Sequence, residues 1–224
     1  MAWTMVIMIK ELSTYMKLFQ KNNLPFQAMA LLLLPLIPLQ SWAAAQSGIY
    51  EALMIAVTPQ HEVKGFYHQP PEDNANQRCA FWFYGRLDTK NAAPITSWSM
   101  QTLTGDFRFQ HKQIELTLPH GQQHTGCMNH LRPEIETGES WSLTRQTNWI
   151  DLVTIRTDKA HLYRKSNSQA QHRGYVIKGD TLGLIQRGAE WSQVEYVSDA
   201  GNTLLAWIKN SDYVSLPAQA AALQ

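Results

Sequence analysis

The sequence predicts an all-β protein of two units: an N-terminal antiparallel β-sandwich or barrel with one disulfide, then a small C-terminal β-barrel. Three observations predict it. Beyond residue 45 no segment sustains a helical hydrophobic period. Short runs rich in β-branched and aromatic residues recur instead, divided by Gly, Pro, Asn and Asp. The only two cysteines, Cys79 and Cys127, both lie in the first of the two units. The 224 residues suffice for one or two small domains. With 8 Trp, 8 Tyr, 7 Phe and a net charge of +1, the composition is not that of a disordered chain. Residues 46–224 carry 16 basic and 17 acidic side chains, a balance that argues against a nucleic-acid partner, which selects a basic stripe.

Residues 1–45 are expected to be an export signal. Residues 28–39 form an apolar run of 12, too short for a bilayer span and weakened as a helix by Pro35 and Pro38. Lys17 and Lys21 precede it, and Ala43-Ala44-Ala45 follows, so cleavage is expected between Ala45 and Gln46. Met1–Ile9 is itself apolar and is interrupted by Lys10-Glu11, which points to Met16 as the start of translation. No cysteine lies near the cleavage site, so a lipoprotein signal is not expected. The mature chain is placed as secreted or periplasmic, with no membrane contact after cleavage.

The first unit is drawn over residues 46–156. Its strand candidates are 49–57, 63–67, 79–87, 95–102, 114–118 and 149–155. Ile114-Glu115-Leu116-Thr117-Leu118 alternates cleanly, as a half-buried antiparallel strand does. In 79–87, Phe81 and Phe83 share one face and Trp82 and Tyr84 the other, so this strand is expected to be covered on both sides. Residues 69–74, 120–125 and 133–139 read as loops. In an exported chain the two cysteines are expected to pair. Closing a loop of about 49 residues stabilises by about 4 kcal/mol on the chain-entropy account.

The second unit is drawn over residues 157–216, and residues 217–224 are expected to fray. Turns are read at 178–180, 187–189 and 198–202, between short strands. Five strands in so short a span suggest a closed barrel, which removes sheet edges. The residues Ala160-His161-Leu162-Tyr163, Tyr175–Asp180, Leu182–Ile185, Trp191–Tyr196, Ala206–Lys209 and Ser211-Asp212-Tyr213 together resemble the bacterial SH3-like (SH3b) family, over about residues 158–214. Ser192 stands where that family usually carries an aliphatic residue, and Ala206 where it usually carries Gly. The resemblance implies an exported binding module that contacts cell-wall peptidoglycan or a protein partner, without chemistry of its own. The first unit resembles the N-terminal β-domain of exported, uncharacterised proteins paired with this module.

The expected ligand contacts are Tyr163, Tyr213 and Asp212, with Trp191 and Trp207 as further aromatic candidates weighted toward the core. A barrel brings its terminal strands together, so Tyr163 and Tyr213 are expected to border one surface. Aromatic rings with polar handles suit peptide or glycan recognition.

Other chemistry is weaker. His111, His120, His124, Cys127 and His130 crowd 20 residues, and His120 and His124 have an i, i+4 spacing used by zinc sites. Gly121 and Gly126 indicate a loop, and a bridge at Cys127 removes the soft ligand, so no metal and no cofactor are expected. Thr125-Gly126-Cys127-Met128-Asn129 resembles the Cys motif of L,D-transpeptidases, with His124 where Ser belongs. That resemblance implies a thiolate nucleophile. His61-Glu62 lacks the second His of a zinc-protease motif, and Glu134, Glu136 and Glu139 read as solvated. The expected class is therefore a non-enzymatic binder. An exported inhibitor or immunity protein against a wall-degrading enzyme is the alternative, and a Cys-dependent transpeptidase the third. The oligomeric state is left open.

N-terminal sequencing of the exported protein is expected to begin at Gln46. Recovery of an intact Met1 or Met16 terminus from the membrane fraction would contradict the signal assignment.

Overall fold

The computed structural model describes residues 45–69 and 78–216, without the side chains of 171–173. The signal assignment, apart from Ala45, falls outside the described residues, as do residues 70–74 of the expected loop and the tail 217–224. Ala45 is half-buried against the barrel core, and Gln46 accepts a hydrogen bond at its carbonyl from the Tyr50 hydroxyl, 3.0 Å away.

The first unit is a closed barrel, not a sandwich. Its strands are β1 (Gly48–Tyr50), β2 (Leu53–Val57), β3 (Glu62–Gln69), β4 (Cys79–Arg86), β5 (Ala92–Trp98), β6 (Thr102–Gln110), β7 (Gln113–Thr117) and β8 (Glu139–Gln146). Each pairs antiparallel with the next, and β8 returns to β1. The expected strand 49–57 is broken by a turn at Glu51 and Ala52, with Glu51 at φ 54°. Alternation along β4 sends Cys79, Phe81 and Phe83 inward and leaves Trp82 and Tyr84 on the outer face. Gly65 faces Phe83 across the β3–β4 ladder, and a Cβ there would overlap the Phe83 ring. The phenyl ring occupies the space that a side chain at 65 would need.

Side chains fill the interior, as an eight-stranded barrel allows. Tyr50, Leu53, Ile55, Phe81, Phe83, Phe107, Ile114, Leu116 and Trp141 are all buried in one cluster. Leu118, Leu131 and Ile135, from the long connection between β7 and β8, join the same cluster. That connection includes short 3-10 turns at Gly121–Gln123 and Pro133–Glu136. A disulfide ties its Cys127 to Cys79 at the start of β4, with Cα atoms 4.5 Å apart. The expected bridge therefore anchors the connection to the barrel wall.

The second sheet has seven strands: β9 (Asp151–Ile155), β10 (Lys159–Tyr163), β11 (Gln171–Ile177), β12 (Thr181–Arg187), β13 (Trp191–Val197), β14 (Thr203–Lys209) and β15 (Tyr213–Ser215). Their order is β11-β10-β14-β13-β12-β9-β15, a curled half-barrel with two edges rather than a closed five-stranded barrel. The turns at 178–180, 187–189 and 198–202 fall where the sequence places them, with Gly179 at φ 94° and Gly201 at φ 78°. β9, expected as the last strand of the first unit, pairs instead with β12 and β15. The break between sheets thus falls between Gln146 and Asp151, ahead of the boundary drawn at 156. All five β9 residues are buried, so the strand shows no polar face to indicate its sheet.

The outer face of the barrel and the second sheet share a core of Met54, Ala56, Trp98, Trp149, Leu152 and Leu216, against which Phe66, Trp82 and Tyr84 pack. The expected double covering of β4 is met, and the second sheet is the cover. Polar groups cross the same junction. Trp82 Nε1 donates to Thr181 Oγ1 (2.9 Å), and Trp149 Nε1 donates to Glu195 Oε2 (2.8 Å). Arg145 pairs with Glu195 at 3.0 Å, and Lys64 with Asp151 at 2.8 Å.

Because Cys79 and Cys127 share one bond, Cys79→Ser and Cys127→Ser are each expected to cost about 2–5 kcal/mol, and the double variant little more than either. Denaturant melts of the three variants check this; strongly additive losses would contradict it.

Candidate functional site

Alternation divides the tryptophans of the second sheet from its core. On β13, Ser192 and Val194 are buried, which leaves Trp191, Gln193 and Glu195 on the outer face. On β14, Ala206 and Ile208 are buried, while Leu205, Trp207 and Lys209 face outward. Register then sets Trp191 opposite Lys209, and Gln193 opposite Trp207. Tyr163 is the partner of Trp207 on β10, and its ring meets the Trp191 ring edge-on at 4.9 Å. Lys209 Nζ lies 5.7 Å from the centre of the Trp191 ring. Trp191 and Lys209 line a groove of about 660 Å³ with Glu190, Asn210, Ser166 and Asn167.

This inverts the expected roles of tyrosine and tryptophan. Trp191 and Trp207 are half-buried on the outer face, whereas Tyr163 is buried and Tyr213 is only 4% exposed. Tyr213 packs in the core of the second sheet. Its hydroxyl lies 2.7 Å from Ser192 Oγ and 3.2 Å from Asn210 Oδ1, two acceptors for its single proton. Ser192 Oγ also donates to Asn210 Oδ1 at 2.7 Å. The Ser at 192 therefore satisfies a buried phenol that an aliphatic residue would leave with Asn210 alone. Tyr163 and Tyr213 do not border one surface either: β14, β13, β12 and β9 stand between β10 and β15 in the sheet. Closure would have joined these ends, but the sheet stays open. Asp212, half-buried in the 3-10 turn Asn210–Asp212, accepts Arg156 N–H at its carbonyl, 3.0 Å away. Glu190, Lys209 and Asn210 complete the tryptophan groove. The signal for them was the alternation of β13, since an inward Val194 requires an outward Trp191.

The histidine-rich segment is a structural plug. His124 is 1% exposed and stacks on Phe81, with centroids 4.8 Å apart. Ser97 Oγ lies 2.9 Å from His124 Nε2, and its hydroxyl donates to the Leu103 carbonyl (3.3 Å). Thr125 N–H donates to Ser99 Oγ (3.4 Å), which lies 2.9 Å from His124 Nδ1. A carbonyl only accepts and an amide only donates, so these ends orient the chain: Nε2–H donates to Ser97, and the Ser99 hydroxyl donates to Nδ1. A serine–histidine pair can activate a nucleophile. Here both ring nitrogens are engaged, and burial pushes the His124 pKa down to about 4, so a proton taken from Ser99 would create a buried cation.

The remaining histidines do not gather around it. Among the described residues no three or more His, Cys, Asp or Glu side chains are placed to hold a metal ion. Cys127 is bonded to Cys79, which removes the thiolate that the transpeptidase resemblance requires. Glu139, expected in solvent, is 6% exposed and paired with Arg132, whose Nε lies 2.6 Å away. Burial raises its pKa, and Arg132 opposes that shift.

The low pKa of His124 predicts acid sensitivity. Its native pKa is about 4, against 6.5 in the unfolded chain. Between these values the unfolded state takes up a proton that the native state refuses. Stability should therefore be full above about pH 6.5 and fall by up to about 3 kcal/mol as pH drops to about 4. Denaturant melts across that interval check the loss. An NMR titration should show the His124 ring still neutral at about pH 5.5; a midpoint near the ordinary histidine value would contradict its burial.

No protein-family model, curated protein or solved structure matches this chain.

Proposed function

We propose that this protein is an exported, non-enzymatic binding protein whose second sheet contacts cell-wall peptidoglycan through the outward tryptophan face. The observation that carries this reading is the placement of Trp191 and Trp207 together on that face, beside Lys209 and a polar groove. Indole faces offer flat apolar area, while Glu190, Asn210 and Lys209 offer hydrogen bonds to a polar polymer. Two further features support binding at the outer surface. The barrel interior is filled by its own side chains, and both cysteine sulfurs are held in the bridge. The SH3-like resemblance of residues 158–214 points to the same class of module.

A second reading, an exported inhibitor or immunity protein against a wall-degrading enzyme, is favoured by Met100 and Met128. They are 83% and 72% exposed. They stand on two connections linked to each other through Ser99, His124 and Thr125. Exposed methionines on loops held this firmly fit an apolar cleft in a protein partner.

Sedimentation with purified sacculi separates the two. The wild-type protein is expected in the pellet. Trp191→Ala and Trp207→Ala should stay folded, melt within a few degrees of wild type and remain in the supernatant. Tyr213→Ala should instead destabilise the second sheet by about 3–5 kcal/mol, as loss of a buried aromatic does. Wild-type protein that ignores sacculi but captures a lysozyme-like or amidase-like enzyme, with capture lost in Met100→Ser and Met128→Ser, would favour the inhibitor.

A further inference from the structure

A groove of about 1130 Å³ lies away from the tryptophan face, between the barrel wall and the turns of the second sheet. Its floor is a row of flat rings on the outer face of β3 and β4. Phe66 stacks on His68 (5.7 Å, 12° between planes) and on Trp82 (5.3 Å, 21°). The opposite wall comes from two turns, 178–181 after β11 and 198–201 after β13. Each turn brings a carboxylate. Asp199 Oδ1 lies 3.6 Å from His68 Nδ1, and Asp180 acts electrostatically on both His68 and Tyr196. Arg78, Arg132 and Lys178 line the same groove with two more acids, Glu51 and Glu139, so charges of both signs surround it.

From this arrangement we infer a second ligand site, one that takes a neutral oligosaccharide. The chemistry of the groove excludes the other classes in turn. An anion would face Asp180 and Asp199, and a cation would face Arg78 and Lys178. An acyl chain would strand these charges in a desolvated wall. A sugar ring presents C–H groups to the aromatic floor and hydroxyls around its rim. Those hydroxyls both donate and accept, and the rim supplies both partners: carboxylates that accept, and the Tyr196 hydroxyl, Arg78 and Lys178 that donate. The floor belongs to the barrel and the wall to the second sheet, so the site exists only where the two units meet. It shares no lining residue with the Trp191 groove and does not rest on the function proposed above.

The test is titration of the purified full chain with N-acetylglucosamine tetramer and, separately, with maltotetraose, followed by calorimetry and tryptophan fluorescence. Saturable binding of at least one, with Kd at or below about 1 mM, is expected. A preference for the first sugar would indicate an amino-sugar strand as the source, and a preference for the second a storage-type glucan. Asp199→Ala and His68→Ala, both at half-buried or exposed positions, should weaken binding by about tenfold or more. The same titration of the Trp191→Ala chain separates any sugar bound at the outer tryptophan face. Tyr196→Phe removes only a hydroxyl and gives the same measurement should either alanine variant lose its fold. The inference is overturned if neither sugar binds the wild-type protein. It is equally overturned if the binding that remains in Trp191→Ala survives in folded Asp199→Ala, His68→Ala and Tyr196→Phe, or if none remains.

Discussion

The rest of the structure depends on the covering of one outer face of the barrel. A closed barrel can present that side to water, yet here β2, β3, β4 and β5 carry Met54, Ala56, Phe66, Trp82, Tyr84 and Trp98 there. Fully burying such a side chain contributes about 1.5–3 kcal/mol, so leaving this face uncovered would forgo many such terms. The second sheet supplies the cover through Trp149, Leu152 and Leu216. Trp149 lies against Gly183, where any Cβ would overlap the indole. The Lys64–Asp151 pair is sealed in the same junction, with both residues under a tenth exposed. Removing Asp151 would leave Lys64 charged and desolvated, which makes the junction specific as well as apolar.

This covering also explains why the second sheet stays open. β9 is buried throughout, with Val153 and Ile155 in the sheet's own core and Leu152 in the shared one. It is committed to the barrel on one face and to β12 and β15 along its edges. The sheet curls around its core and ends at β11 and β15 instead of joining them. Recognition surfaces follow from that choice. The outer face of β13 and β14 is left to Trp191 and Trp207, and the turns after β11 and β13 overhang the aromatic floor of the barrel.

Inside the barrel the constraint is different. The interior is occupied by aromatic and aliphatic side chains, and the β7–β8 connection contributes Leu118, Leu131 and Ile135 to it. Twenty-one residues with little regular structure need several anchors to stay ordered. The connection has a covalent one at Cys127, a buried imidazole at His124 held by two serines, and an ion pair from exposed Arg132 to the buried Glu139 carboxylate. His124 and Cys127, which invite a catalytic or metal-binding interpretation, are thus used to hold a loop in place.

Local patterns carried much of this in the sequence. Short β-rich runs located β3, β4, β5 and β7, and turn residues located the hairpins of the second sheet. The cysteine pairing followed from their number and from the expected export. β6 and β8 were not legible: Gly105 and Asp106 interrupt the first, and Ser, Thr and Arg fill the outer face of the second. The site was legible only in part. The alternation around Val194 implied that Trp191 faces outward, but aromatic size argued for the core, and only the packed sheet decided between them. The sheet to which β9 belongs, the burial of Tyr213 and the groove floored by Phe66 and Trp82 were decided by tertiary structure alone. The reason is physical: period and turn chemistry act over a few residues, whereas the cover for a strand face comes from far along the chain, as Thr181 does for Trp82, 99 residues away.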